Sequence, residues 1–234
     1  MAKKFYLVLD TETISDARIV FDIAGTIIDR KGHICEQFNY FVSEVVNAEI
    51  FPMLLKGDSF TKNKADFYLD ECYEKSNIQI YSLGYIQSKI HQLIKKYNNA
   101  TVVAYNAAFD CSVLNNCFHN LYFDDQFFDD DVKVYDLMNM ALATICNTNN
   151  YINFAKEHDY TTEKGNIQTN AEVVYRYLTN DIDFNEAHTA LADTEIEAAI
   201  LTQVFRTHKK LNTEMAGPLF RNDNWKNVQA RAKK

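Results

Sequence analysis

The chain has 234 residues, a formal net charge of −8, 47% hydrophobic and 24% charged residues, which are values of an ordinary globular protein with one sizeable core and no need of a second domain. The negative balance argues against a protein that coats nucleic acid through bulk positive potential, while leaving room for one that grips only a chain end. Five cysteines without a CxxC pair argue against a disulfide framework or a zinc knuckle; with no long apolar run and no signal-peptide core, the expectation is a cytoplasmic protein without a membrane partner.

The opening stretch LVLDTET (7–13) reads as a buried strand interrupted by Asp10 and Glu12. Two positions apart on a strand, their carboxylates share a face. Either the strand is a solvated edge with scattered acids, or like charges held that close have a cation between them, and an all-oxygen donor set suits Mg²⁺ or Mn²⁺ better than zinc; partners elsewhere in the chain decide between the two. Residues 17–28 and 33–42 read as two more strands, and the intervening DRKG puts Gly32 in the turn, so 5–42 form a three-stranded meander. Within 43–82, KADFYLDECYEK spaces Ala65, Leu69 and Cys72 as a short amphipathic helix inside a long connection, either a lid or substrate wall or surface filler.

Residues 84–97 repeat apolar side chains at helical spacing, and TVVAY after them is a short buried strand, so the sheet is expected to be partly parallel. NAAFDCSVLNNCF reads as a helix with Phe109, Val113 and Cys117 along one face and Asp110 near its amino end. The acidic, aromatic run 121–131 matches no calcium loop and reads as solvated. VKVYD is a short strand with Asp136 as a helix cap, LMNMALATI a helix, and two further helices fall around 150–158 and 169–180. The last strong element runs from about Ala190 to Lys209, with Leu191, Ile196, Ala199, Ile200, Val204 and Phe205 as its apolar stripe. From Arg221 the basic tail (211–234) carries Trp225 among lysines and arginines, which reads either as a surface that stacks on and steers a single strand or as a frayed terminus.

Taken together, DTE at 10–12, NAAFD ending at Asp110 and HTALAD from His188 to Asp193 make the chain resemble the DEDDh family of 3′→5′ exonucleases, which includes polymerase proofreading subunits, ribonuclease T and oligoribonuclease. The resemblance covers roughly residues 5–205, within an exonuclease domain taken as 1–210. It implies an α/β, ribonuclease H-like mixed sheet of about five strands, the first three antiparallel, flanked by helices. It also implies two Mg²⁺ or Mn²⁺ ions on Asp10, Glu12, Asp110 and Asp193, with Asp10 bridging them and His188 as general base. The substrate would be the 3′ end of single-stranded DNA or RNA, cut to nucleoside monophosphates, with Thr11, Thr13, Asn106 and Phe109 as contacts to the terminal nucleotide.

Five positions turn a helix by an angle that leaves His188 and Asp193 about 140° apart, so His188 is expected on the loop before the helix and Asp193 in its first turn. Glu197 is taken as a supporting or solvated residue, and Asp16, Asp22, Asp136, Asp181 and Asp183 as the acids most easily confused with ligands. Two departures from the family pattern stand out: Tyr105 precedes Asn106 where many members carry His, and Ile14-Ser15 follows DTET where many have Thr-Gly. A proofreading subunit needing a polymerase, a catalytically silent binding module and an endonuclease of the same fold stay open as rivals.

Overall fold

In the computed structural model, which describes residues 3–14, 18–59, 61–73, 79–123, 126–207 and 221–233, the first three strands form the expected meander. These are β1 (Phe5–Ile14), β2 (Ile19–Asp29) and β3 (Ile34–Val42). The chain continues through α1 (Ser43–Val46), α2 (Phe51–Gly57), a 3₁₀ turn (Lys62–Lys64), α3 (Ala65–Tyr73), β4 (Ile80–Tyr81), α4 (Leu83–Lys96) and β5 (Thr101–Ala104). Next come α5 (Ala107–Tyr122), β6 (Val134–Asp136), α6 (Leu137–Ala141) extended by one π turn (Leu142–Cys146), α7 (Asn149–Glu157), α8 (Ala171–Thr179), α9 (Ala190–Thr207) and α10 (Arg221–Ala232). Ser15, Asp16, Asp124, Asp125, residues 208–220, Lys234 and the side chain of Cys72 lie outside the description. No helix among the described residues is long and apolar enough to cross a membrane.

The sheet order is β4-β3-β2-β1-β5-β6. Pairs β1–β2 and β2–β3 are antiparallel, while β1–β5, β5–β6 and β3–β4 are parallel. The sixth strand, beyond the expected five, is β4, whose two residues pair with Phe41 and Val42. Buried on both faces, β2 reads as a near-continuous apolar run. One face of β1, carrying Tyr6 and Val8, packs against Leu137, Met140, Ile200 and Val204 of α6 and α9. The other, carrying Leu7 and Leu9, packs against Ile86, Ile90, Val113 and Leu114 of α4 and α5. A third cluster of Ile14, Phe21, Phe51, Leu55 and Tyr68 ties α2 and α3 to the sheet.

Two glycines carry specific duties. Gly32, at φ +87°, closes the β2–β3 turn by donating its N–H to the Asp29 carbonyl at 3.0 Å. Gly25 pairs with Leu9 and Phe38 across the sheet, and a Cβ there would lie 2.4 Å from the Phe38 ring and 2.7 Å from Leu7. The Phe38 ring is buried and stacked on Tyr40, centroids 4.7 Å apart, so it has little room to yield. Gly25→Ala is expected to destabilise the protein by about 1–3 kcal/mol, with part of the loss recovered by adding Phe38→Leu, as read by urea unfolding.

Several expectations from the pattern need correction. On α5 the buried face is Ala107, Asp110, Val113, Leu114 and Phe118, while Phe109 is exposed and Cys117 half-buried. On α9 Leu191 is only half-buried and Ala199 is exposed; Thr194, Leu201 and Thr202 take the interior positions. The acidic run is not wholly solvated, since Phe127 and Phe128 are in the core. The terminal segment is not frayed either. α10 buries Val228, packs Trp225 on the helical cluster and places Asn224 so that it donates to Asn139. Gln229 meets both polar groups of Ile167, accepting from its N–H at 2.8 Å and donating to its carbonyl at 3.1 Å.

Candidate active site

Asp10 and Glu12 project from the same face of β1, the face covered by α9. A register shift between Glu12 and Thr13 falls at this point, and such a bulge re-aims the side chains beside it. Asp193 enters from the first turn of α9, and carboxylate oxygens of Asp10, Glu12 and Asp193 all lie within 4.8 Å of one another. Asp110 stands outside that trio, yet it is the charged neighbour that bears most strongly on Asp10. It is buried in the first turn of α5 and held by the Thr11 hydroxyl, which donates to Oδ1 at 2.8 Å.

Crowding has an electrostatic signature. Burial, then Asp110, Glu197, Asp193 and Glu12, hold Asp10 well above the usual carboxylate range. Burial pushes Asp110 up to about 7 against the opposing pull of the Thr11 hydroxyl. Burial, Glu186 and Glu12 push Asp193 up to about 8. Glu197, one turn beyond Asp193, is buried rather than solvated; its carboxylate accepts from the Tyr105 N–H at 3.2 Å and is raised by burial and by Asp110.

His188 precedes α9 on a loop, at φ +52°, with 57% of its side chain exposed and Nδ1 3.4 Å from Glu186 Oε2. Its strained backbone is held by a side chain from the 61–73 stretch. Lys64 Nζ donates to the His188 carbonyl at 2.5 Å, and Tyr68 Oη lies 3.5 Å from the same oxygen. The same ammonium donates to Glu12 Oε1 at 3.3 Å. The long connection is therefore a wall of this site, at least through Lys64 and Tyr68. No sequence signal marked Lys64, and Glu186 offered only its place two residues before His188.

The remaining assignments scatter. Thr11 spends its hydroxyl on Asp110 and is buried, as is Thr13. Asn106 occupies a left-handed position at the start of α5, and Phe109 beside it is 40% exposed. Among the acids open to confusion, Asp22 is structural: it accepts from Asn39, from Tyr68 Oη at 3.3 Å and from Ala190 N–H at 3.3 Å at the amino end of α9. Asp136 caps α6 through the Asn139 N–H, and Asp181 and Asp183 are exposed.

The donor set fits a hard divalent ion. Asp193 Oδ1 is buried without a hydrogen-bond partner among the described residues, and the carboxylates around it raise one another. Lys64 supplies a positive charge to Glu12 and Asp193, which still stay above their ordinary values. The consequence for stability has a definite sign. Carboxylates whose folded values are raised favour the folded state at low pH, and that advantage is lost as pH rises through about 7 for Asp110 and about 8 for Asp193. Chelator-treated protein is thus expected to melt lower at about pH 8.5 than at about pH 5.5, with Mn²⁺ narrowing the gap; differential scanning fluorimetry checks both.

No protein-family model matches the chain, and no curated protein matches it. Solved structures do. The zinc-bound E. coli exonuclease I–single-stranded DNA complex aligns with a TM-score of 0.61 at 17% identity, covering 89% of this chain and 42% of that one. E. coli exonuclease I with a 5cy-dT13 oligonucleotide gives 0.60 at 16% identity, covering 89% and 41%. The moderately thermophilic exonuclease I of Methylocaldum szegediense gives 0.56 at 18% identity, covering 88% and 41%. The chain thus spans about two fifths of the length of these proteins, and over that span it has their fold: a mixed sheet flanked by helices.

Proposed function

We propose that the protein is a divalent-metal-dependent 3′→5′ exonuclease that removes nucleoside monophosphates from the end of single-stranded or frayed DNA, with RNA as the alternative substrate. The observation that carries this reading is the convergence of Asp10, Glu12 and Asp193, with Asp110 pressing on Asp10, around a buried oxygen that has no hydrogen-bond partner among the described residues. Likeness of fold to exonuclease I complexes with single-stranded DNA supports the substrate class. A terminus-grasping site also suits a chain of net charge −8, because few phosphates need contact.

Asp10, Glu12, Asp110 and Asp193 would hold the metal. When bound, Mg²⁺ or Mn²⁺ supplies the charge that acidifies an attacking water and offsets the negative charge on the departing 3′ oxygen. His188 takes the proton from that water, its imidazole standing beside the carboxylates with most of its surface free to approach them. Thr11 fixes the Asp110 carboxylate by donating to it. Lys64 fixes the His188 backbone by donating to its carbonyl, and so sets where the base stands. Asn106 and Phe109, beside Asp110 at the start of α5, remain the proposed contacts to the terminal nucleotide, whereas Thr11 and Thr13 act from within the fold. Residues 1–210 carry the chemistry, with α10 packing on the helical side. A polymerase partner is favoured by no observation.

The test is a pair of 5′-labelled DNA and RNA oligonucleotides incubated with Mg²⁺, Mn²⁺ or chelator. Stepwise shortening from the 3′ end with mononucleotide release, abolished by chelator, is expected. Internal fragments would indicate an endonuclease, and binding without cleavage a silent module; either would overturn the proposal.

A further inference from the structure

Asp193 belongs to a second set of donors. Glu186, His188 and Asp193 each bring a ligating atom within 4.8 Å of the others, and this set, unlike Asp10–Glu12–Asp193, contains a nitrogen. The separation of His188 Nδ1 and Glu186 Oε2, 3.4 Å, exceeds the roughly 2.7–2.9 Å of a charge-assisted hydrogen bond. It matches the span of about 3.4 Å between two ligands of a tetrahedral ion whose bonds are about 2.0–2.1 Å. Asp193 contributes the buried carboxylate whose Oδ1 has no hydrogen-bond partner among the described residues. The Glu186 side chain is 11% exposed and the imidazole 57%, so the group has a protein-lined floor and a side open for water as a fourth ligand.

We propose that Glu186, His188 and Asp193 form a zinc site that shares Asp193 with the proposed Mg²⁺ or Mn²⁺ set, and that filling it arrests the enzyme. The site stands on its geometry; the arrest rests on the exonuclease reading. One imidazole, two carboxylates and an open position make a donor set that Zn²⁺ accepts readily and Mg²⁺, which demands oxygen ligands in octahedral array, does not. Arrest follows from two competitions. A neutral imidazole that gives its Nδ1 lone pair to an ion carries its hydrogen on Nε2, so no nitrogen is left to take a proton from water. Asp193, committed to zinc, is withdrawn from the trio with Asp10 and Glu12. The Lys64 ammonium, which bears on Glu186, His188 and Asp193 alike, opposes any cation here.

Metal-stripped protein is titrated with Zn²⁺ by calorimetry and with Co²⁺ by visible absorption, as wild type, Glu186→Gln and Asp10→Asn. Glu186→Gln is expected to weaken zinc binding by about tenfold or more and to remove the four- or five-coordinate Co²⁺ bands, with Mn²⁺ binding little changed. Asp10→Asn is expected to do the reverse. Zinc should inhibit Mn²⁺-supported degradation by the wild type, with the inhibiting concentration rising in Glu186→Gln by the factor seen in binding. Zinc affinity untouched by Glu186→Gln, or lowered as much by Asp10→Asn, overturns the site. Glu186-dependent zinc binding in a protein that degrades no oligonucleotide upholds the site and overturns the arrest together with the nuclease reading.

Discussion

Asp193→Asn is expected to cut Mn²⁺-supported degradation by about 10³-fold or more while raising the melting temperature of the chelator-treated protein at about pH 9. Both effects come from one carboxylate. Asp193 sits in the first turn of α9, buried, with an oxygen that meets no donor among the described residues and with burial, Glu186 and Glu12 pushing it up to about 8. Above that value the folded protein keeps an ionised group where the unfolded chain would solvate it, and stability falls. An amide of the same shape removes the charge and can donate to Asp10 or Glu12, so the metal-free fold gains what the reaction loses. Rates on the oligonucleotide and paired thermal melts decide the matter. A variant as active as the wild type, or one that melts lower without metal, would leave Asp193 with no role in the proposed chemistry.

His188→Ala should slow the reaction by about 10²- to 10⁴-fold with little change in KM, the loss typical of a missing general base. Burial, and then the neighbouring Lys64 ammonium, lower the imidazole below its ordinary value of 6.5, so the neutral, proton-accepting form prevails at neutral pH. The acid limb of the wild-type rate profile should accordingly fall on the acidic side of 6.5 and vanish in the variant. An unchanged profile would assign the limb, and the base, to another group.

The meander, α4, α5 and α9 were legible because their apolar spacing is regular over many residues. β4 was not, since two residues cannot express a period. On α5 the pattern favoured Phe109 for the interior, but the buried row Ala107, Asp110, Val113, Leu114 puts a carboxylate inward and turns Phe109 out. An inward acid is invisible to any reading that equates burial with apolarity. Along the site, Asp10 and Glu12 share a face by strand geometry and Asp193 falls in the first turn of α9 by helix geometry. Glu197 lies on the Asp193 side for the same helical reason, and its burial was underestimated because its partner is a backbone N–H. Lys64 could not be foreseen: it approaches Glu12 across 52 positions of chain, from a stretch without a motif.

Because that backbone N–H belongs to Tyr105, the residue just past the carboxyl end of β5, the site has a reporter already wired into the scaffold. In a ¹⁵N-labelled sample the Tyr105 amide resonance should move with the ionisation of Glu197 and shift again when the neighbouring acids are neutralised by an ion. Occupancy can then be followed residue by residue in solution, with no substrate present and no side chain altered.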